Sequence, residues 1–305
     1  MLRQLVIRDG KLVEANGSPP SVLVYISPDE AERRYLVDQL RLDEHTLMSA
    51  LDPDEQSRVE FEPEHAAIIF KRPKNYSSED EFLFRVASTG MFLFADKLVV
   101  VLAEEAPLFD GKQFQRVSSP HDVLLKMMYR SIFHFIEHLK VMNAISSALE
   151  QQINTSMKNT YLLNMFTLEK SLVYYLNAIN ANAKVIGRLK NAAVRMGLSP
   201  ENQEFLDDMI IENGQCYEQA EIYSQVLSSL MDARASIVGN NLNVLMKTLN
   251  IIMLGIMLPT LVVSIFSMNV KMPFWHEDPS AFWLILAGAL VSAVGVAFIW
   301  WYKRL

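Results

Sequence analysis

Counting back from Ser267-Met268-Asn269, polar and thioether side chains recur at alternating three- and four-residue steps: Ser264, Thr260, Met257, Met253, Asn250, Met246 and Asn243. Such steps draw a heptad seam along one face of an α-helix. Ile251, Ile252, Leu254, Ile256, Leu258, Val262 and Ile265 keep the other faces hydrocarbon. Neutral amide and hydroxyl oxygens can accept hydrogen bonds from the water shell of a cation without gripping the ion as a carboxylate would. A helix with such a stripe on one face and hydrocarbon elsewhere is suited to surrounding a narrow path with copies of itself. A single helix cannot surround a path, so the reading requires several copies of the chain. The same spacing also fits an ordinary helix–helix seam whose hydroxyls bond back to the backbone.

The elements that must hold this stripe are themselves apolar. A first span covers about residues 251–268 and a second about 282–302, both within the length that crosses a hydrocarbon core of about 30 Å. Phe282-Trp283 and Trp300-Trp301-Tyr302 place aromatic residues at both ends of the second span, as at two membrane interfaces. Lys303-Arg304 follow it, whereas the connecting loop sets Lys271 against Glu277 and Asp278. The bias of basic residues therefore predicts a plasma (inner) membrane protein with both termini cytoplasmic and the loop outside. Gly288, Ala289, Ser292, Ala293, Gly295 and Ala297 give the second span small-residue faces, which permit close helix packing.

Among 305 residues, 35 are acidic and 28 basic, a net charge of −7. That balance argues against a nucleic-acid partner and suits a surface that attracts cations. The single cysteine, Cys216, cannot form an internal disulfide or a thiolate cluster. No Gly-rich phosphate loop, nucleophile elbow or His-Glu-x-x-His motif occurs, so an enzyme reading has no residues to carry it. The N-terminus has charges inside its short apolar run and lacks a signal-peptide layout.

The remainder divides into an α/β domain over 1–118 and a long-helix stalk over 119–248, ahead of the two-helix segment 249–305. Strands are predicted at Arg3–Arg8, Val22–Ser27, Ala66–Arg72, Glu81–Ala87, Met91–Ala95 and Lys97–Ala103. Ser27-Pro28-Asp29-Glu30 predicts a capped helix running to about Leu40. From His121 the apolar spacing turns helical, giving one helix to about Met157 and another from about Asn159 to Arg195. Gly197-Leu198-Ser199-Pro200 then supplies a stop and a new start. A helix from Glu201 to Asn269 would be about 100 Å long at 1.5 Å per residue. The expected class is an α+β membrane protein.

Ser267-Met268-Asn269, followed by Val270-Lys271-Met272-Pro273, resembles the Gly-Met-Asn signature and Met-Pro loop of the CorA-type divalent-cation channels. The stretch from Asp232 through Asn243 to Leu249 is similar to the same family, with weaker echoes at Leu172–Leu176 and Ile211–Gln215. The resemblance implies a homopentamer whose first spans line the pore, with Asn269 holding hydrated Mg²⁺ at the outer mouth. It further implies apolar constrictions at Met257 and Leu249, polar stations at Thr260 and Asn243, and a ring of Asp232 near the cytoplasmic mouth. Ser267 stands where the family has glycine. Two other readings fit these residues: a Zn²⁺ transporter of the same fold, and a non-conducting membrane-anchored scaffold.

Glu201, Glu204, Asp208 and Glu212 share one helical face, where like charges repel and a divalent cation would relieve them. By the resemblance, Asp208 meets an acid of a neighbouring subunit and senses intracellular Mg²⁺; Asp52, Asp54, Glu79, Asp80 and Glu81 are eligible partners. A solvated acidic face is the alternative. His134 and His138, four apart, could offer two imidazoles to a metal, or simply pack.

Overall fold

A computed structural model describes residues 1–15, 17–77, 80–155, 159–268 and 280–303. The chain divides into two compact units, Met1–Met231 and Asp232–Leu305. The first unit is built on seven strands: β1 (Leu2–Arg8), β2 (Lys11–Glu14), β3 (Val22–Ile26), β4 (Arg58–Phe61), β5 (His65–Pro73), β6 (Val86–Phe94) and β7 (Leu98–Leu102). They form one sheet in the order β2-β1-β3-β7-β6-β5-β4. Neighbours run antiparallel except β3 and β7, which pair in parallel, Val22 opposite Leu98 and Ile26 opposite Leu102.

Alternation along the strands decides the layering, because successive side chains point to opposite faces. Val22, Val24 and Ile26 face one core while Leu23 and Tyr25 face the other; Ile68 and Phe70 oppose Ala67 and Ile69 in the same way. Both faces are covered, so β3 and β7 read as unbroken apolar runs, and β5 as one from Ala66 to Phe70, rather than as alternating strands. One face packs on α1 (Glu30–Asp38) and α2 (Glu44–Leu51) through Leu36, Leu47 and Ala50. The other packs on α3 (Pro120–Thr155) and α4 (Asn159–Ala192) through residues such as Leu124, Phe135 and Leu172, and the first part of α5 (Pro200–Phe266) joins the same core through Met209. A mixed sheet, long helices and two apolar C-terminal helices match the expected class.

Several boundaries differ from expectation. Glu81–Ala87 and Met91–Ala95 are not two strands. Glu81 and Phe82 turn with φ of 45° and 69°, and a single strand, β6, begins at Val86 and continues through Gly90. Gly90 is a point of close approach: a Cβ there would lie 2.4 Å from the Ala50 Cβ of α2 and 3.2 Å from Phe92. Gly90→Ala is therefore expected to lower stability by about 1–3 kcal/mol through overpacking. Thermal melting of the purified variant checks this, and an unchanged melting temperature would remove the constraint.

The cap of α1 is Asp29, not Ser27. Asp29 Oδ1 accepts the Glu32 N–H at 2.8 Å and Glu32 Oε2 accepts the Asp29 N–H at 3.1 Å, a capping box two residues later than Ser27. Ser-Pro starts recur at α3 and α5. Ser119 Oγ accepts from the Asp122 N–H and Ser199 Oγ from the Asn202 N–H, each at 3.2 Å, with proline at the first helical position. Gly197, at φ 70°, ends the preceding helix, and the Leu198 N–H closes back on the Ala193 carbonyl at 3.0 Å.

Polar side chains fix the helices to the sheet. Asn182 of α4 donates from Nδ2 to the Lys71 carbonyl and accepts the Lys71 N–H on Oδ1, both at 2.9 Å. Asn213 of α5 donates to the Ile179 carbonyl of α4 at 3.1 Å. Cys216 is buried beside it in the core, with its thiol pushed up to about 12 by burial and then by Glu212.

Candidate cation pathway

The second unit contains the remainder of α5 and helix α6 (Ala281–Lys303). Both helices are long and apolar enough to cross a membrane. A buried core helix of a soluble protein would pass that test, but these helices expose their hydrocarbon. Ile256 is 64% exposed, Val291 71% and Trp301 75%, which suits lipid contact rather than water.

α5 remains one helix through Gly239, Gly255 and Pro259. Proline lacks an N–H and its ring crowds the carbonyl four residues earlier. Here that residue is Gly255, so no side chain adds to the crowding. The helix ends at Phe266, two residues before the expected end of the first span. The Ser267 N–H is shared between the Val263 carbonyl at 3.1 Å and the Ser264 carbonyl at 3.2 Å. Ser267 Oγ also donates to the Ser264 carbonyl, at 2.9 Å, so that carbonyl receives two bonds and the last turn tightens. Asn269 lies outside the described residues.

The placement of α6 gives the stripe its meaning. Along the membrane part of α5 the residues partly covered are Ile251, Gly255, Pro259 and Val262. Across from them, α6 covers Ile285, Ala289, Ser292 and Ala293, and a Cβ on Gly288 would lie 3.8 Å from Val262 Cγ1. The small residues of α6 therefore face α5. At 3.6 residues per turn, the covered set lies roughly half a turn around the helix from Asn243, Met246, Asn250, Met253, Met257, Thr260 and Ser264. All seven of those residues are exposed, as are Asp232, Leu249, Ser267 and Met268. α6 thus packs behind the stripe and leaves it bare.

The hydroxyls on the stripe do bond back to the helix. Thr260 Oγ1 donates to the Ile256 carbonyl at 2.7 Å, as Ser267 does to Ser264. This uses the hydroxyl hydrogen and leaves oxygen lone pairs as acceptors, the capacity that a hydrated cation requires.

The acidic candidates occupy the first unit. Glu204 and Asp208 are exposed and Glu212 is half-buried on α5. Tyr129 of α3 lies beside them; burial, then Glu212 and Asp208, raise its phenol pKa. Among the described residues no three His, Cys, Asp or Glu side chains gather to hold a metal. Of the suggested partners, Asp52 accepts the Asp54 N–H at 2.9 Å in a tight turn. Asp80 accepts both the N–H and hydroxyl of Ser77, at 2.7 and 3.0 Å, which holds its carboxyl below the usual range. Glu79 lies outside the described residues.

His134 and His138 pack. Their ring centroids are 4.3 Å apart, and His138 Nδ1 is 2.7 Å from the Tyr175 hydroxyl in a cluster with Phe84 and Phe135. Burial leads in pushing both imidazoles down, to about 3 for His134 and about 4 for His138, so both are neutral at pH 7. Two features escaped sequence reasoning. The covered face of α5 could have been read from the Ile251, Gly255, Pro259 and Val262 spacing, whereas Asn182 and Asn213 carry no local signal.

The family model described as CorA-like Mg²⁺ transporter protein matches residues 23–304. The chain belongs to the CorA-like Mg²⁺ transporter family. This is a family of transporters, not enzymes. The cobalt/magnesium transport protein CorA of Methanocaldococcus jannaschii is 22% identical over 316 residues, covering 98% of this chain and 97% of that protein. The complete structure of the magnesium transporter CorA from the same organism superposes with a TM-score of 0.82 at 20% identity, covering 98% of this chain and 96% of that one. The full-length CmaX protein has the same fold, with a TM-score of 0.72 at 17% identity and coverage of 99% and 97%. The ZntB cytoplasmic domain from Vibrio parahaemolyticus matches at a TM-score of 0.59 and 12% identity, over 78% of this chain and 98% of the domain. As in other CorA-like chains, the apolar helices follow the sheet and the long helices.

Proposed function

We propose that copies of this chain, five by the family resemblance, form a passive channel for hydrated Mg²⁺ along the bare stripe of α5. The observation that carries this reading is the coverage of α5 by α6 on the side opposite the stripe, in a chain matched to a CorA-like Mg²⁺ transporter model over residues 23–304. Co²⁺ is further cargo in this proposal, since the relative from M. jannaschii is named for cobalt as well as magnesium, and Ni²⁺ enters by the family resemblance alone. Asn269 and Ser267 offer neutral acceptors to the ion's water, with Met268 between them. Thr260, Ser264, Asn250 and Asn243 continue the acceptors inward.

Met246, Leu249, Met253 and Met257 form apolar stretches that can close by excluding water. Asp232 concentrates cations at the inner end. With both termini cytoplasmic, uptake is driven by the membrane potential, about 2.3 kcal/mol per charge per 100 mV. Segments 1–118 and 119–248 form the cytoplasmic domain and stalk, and Asp208, with Glu204 and Glu212, joins a neighbouring copy's acid to sense intracellular Mg²⁺.

Ion uptake into proteoliposomes holding the purified chain tests the proposal, with Mg²⁺, Zn²⁺ and no added ion compared under an inside-negative potential. Mg²⁺ uptake that rises with the potential is the expected result. Zn²⁺ uptake without Mg²⁺ uptake would replace the cargo. Absence of both, with uptake appearing in Ser267→Gly, would instead identify a scaffold that has lost conduction.

A further inference from the structure

A buried arginine with unfinished hydrogen bonding marks a second polar site, in the first unit. Arg72, near the end of β5, is 5% exposed. Its Nη1 donates to the Pro73 carbonyl at 3.2 Å, and its Nη2 reaches Glu104 Oε1 only at 3.5 Å. The buried Nε–H has no partner among the described residues. Buried donors are nearly always paired, and a charged one left unpaired is especially costly.

Arg72 lines a cavity of about 90 Å³ between the end of β5, the segment after β7, and α3. The polar groups on its wall are Arg72, Asn75, Arg130, Ser131 and His134, and no carboxylate is among the lining residues. In a chain of net charge −7 this is an unusual concentration of cations. Arg130 gives one nitrogen, Nη1, to Glu137 at 3.0 Å. His134 is held neutral by burial first, then by His138, Arg130 and Arg72. Two guanidiniums, each paired on one edge with a carboxylate outside the lining, Glu104 and Glu137, therefore border a small space whose own wall carries no carboxylate.

We propose that this cavity binds a phosphate group, held by Arg72 and Arg130 with the Asn75 amide as a further donor. Guanidinium groups recognise tetrahedral oxyanions through paired, charge-assisted N–H bonds. The volume is well below the roughly 300–1,000 Å³ of sites for larger molecules, which limits the occupant to a small ion or one end of a larger one. A second cavity of about 340 Å³ shares Arg72 and Asn75, and its wall holds Tyr76 and Phe84, whose stacked rings are 4.1 Å apart. That wall also carries the cations Lys74 and Arg85 and the carboxylates of Asp80, Glu104 and Glu105. The phosphate is thus either free or the terminal group of a nucleotide. Binding would tie the end of β5 to α3.

Calorimetric titration of the full-length protein in detergent, with inorganic phosphate in one arm and ADP in the other, tests the proposal. One phosphate per chain is expected, with His134 ring NMR signals shifting on addition. Arg130→Gln should weaken binding by about tenfold or more, the loss of one charge-assisted contact. Arg130→Lys, which keeps the charge but not the planar fork, should fall between the variant and the wild type. ADP binding more tightly than phosphate would identify the nucleotide source, and equal or weaker binding the free ion. No heat from either ligand at millimolar concentration would overturn the site, as would unchanged binding in an Arg130→Gln protein that melts like wild type.

Discussion

Asn182→Ala is expected to destabilise the first unit by about 3–5 kcal/mol, because it leaves a buried donor and a buried acceptor without partners. β4 pairs with β5 only as far as Arg58 opposite Ile69. The next outward-facing peptide of β5, at Lys71, therefore has no strand beside it. Asn182, fully buried, takes the place of the missing strand by bonding both the Lys71 N–H and carbonyl at 2.9 Å, and its Oδ1 also accepts from the Ser57 hydroxyl at 2.8 Å. For a unit of this size each kcal/mol shifts the melting temperature by about 2–4 °C, so a fall of roughly 6–20 °C should be visible by calorimetry. Ser57→Ala removes one bond to an oxygen that keeps another, and should cost about 1 kcal/mol or less. Equal, small shifts in the two variants would show that the amide is not the missing strand's substitute.

Loss of Mg²⁺ uptake in Asn269→Ala is the second large effect. A methyl group cannot accept a hydrogen bond from the water shell, and Mg²⁺ will not shed that shell to compensate. Each lost bond is worth about 0.5–1.5 kcal/mol, and a ring loses one from every copy. Since about 1.4 kcal/mol is a factor of ten, initial uptake should fall by more than tenfold while assembly and melting stay unchanged. Asn269→Asp provides the opposite perturbation: acceptors remain but each copy adds a charge, so the ion should bind more tightly and leave more slowly. Measured with an entrapped Mg²⁺-sensitive dye, an Asn269→Ala rate equal to wild type would remove this residue from the path.

Most of the second unit was legible because its signals are periodic. The stripe from Asn243 to Ser267 repeats over several turns, and the hydrocarbon between its members is what a lipid-facing helix requires. The side of α5 that α6 covers is written in the spacing of Ile251, Gly255, Pro259 and Val262, but it was missed because Gly255 and Pro259 read as interruptions rather than as a docking face. In the first unit, β3, β5 and β7 were visible as apolar runs. β2 and β4 were not, because Lys11-Leu12-Val13-Glu14 and Arg58-Val59-Glu60-Phe61 carry the charges that edge strands use against unwanted pairing. Gly90 looked like a gap between two strands because a tight helix contact and a chain break leave the same mark in a sequence. The acids on α5 stayed ambiguous for another reason: a face of like charges has one appearance whether it meets water or another copy.

The parallel pairing of β3 with β7 also bears on how the protein is made. That pairing closes a loop containing both short helices and three strands, and contacts so distant in sequence form slowly. Yet the whole sheet ends at Leu102, about 150 residues before the first apolar span at Ile251, and a ribosome takes roughly 8–30 s to cover that distance. The sheet therefore has time to assemble in water before any segment that needs lipid emerges. A slow β-topology and an aggregation-prone membrane anchor are in this way separated in time as well as along the chain.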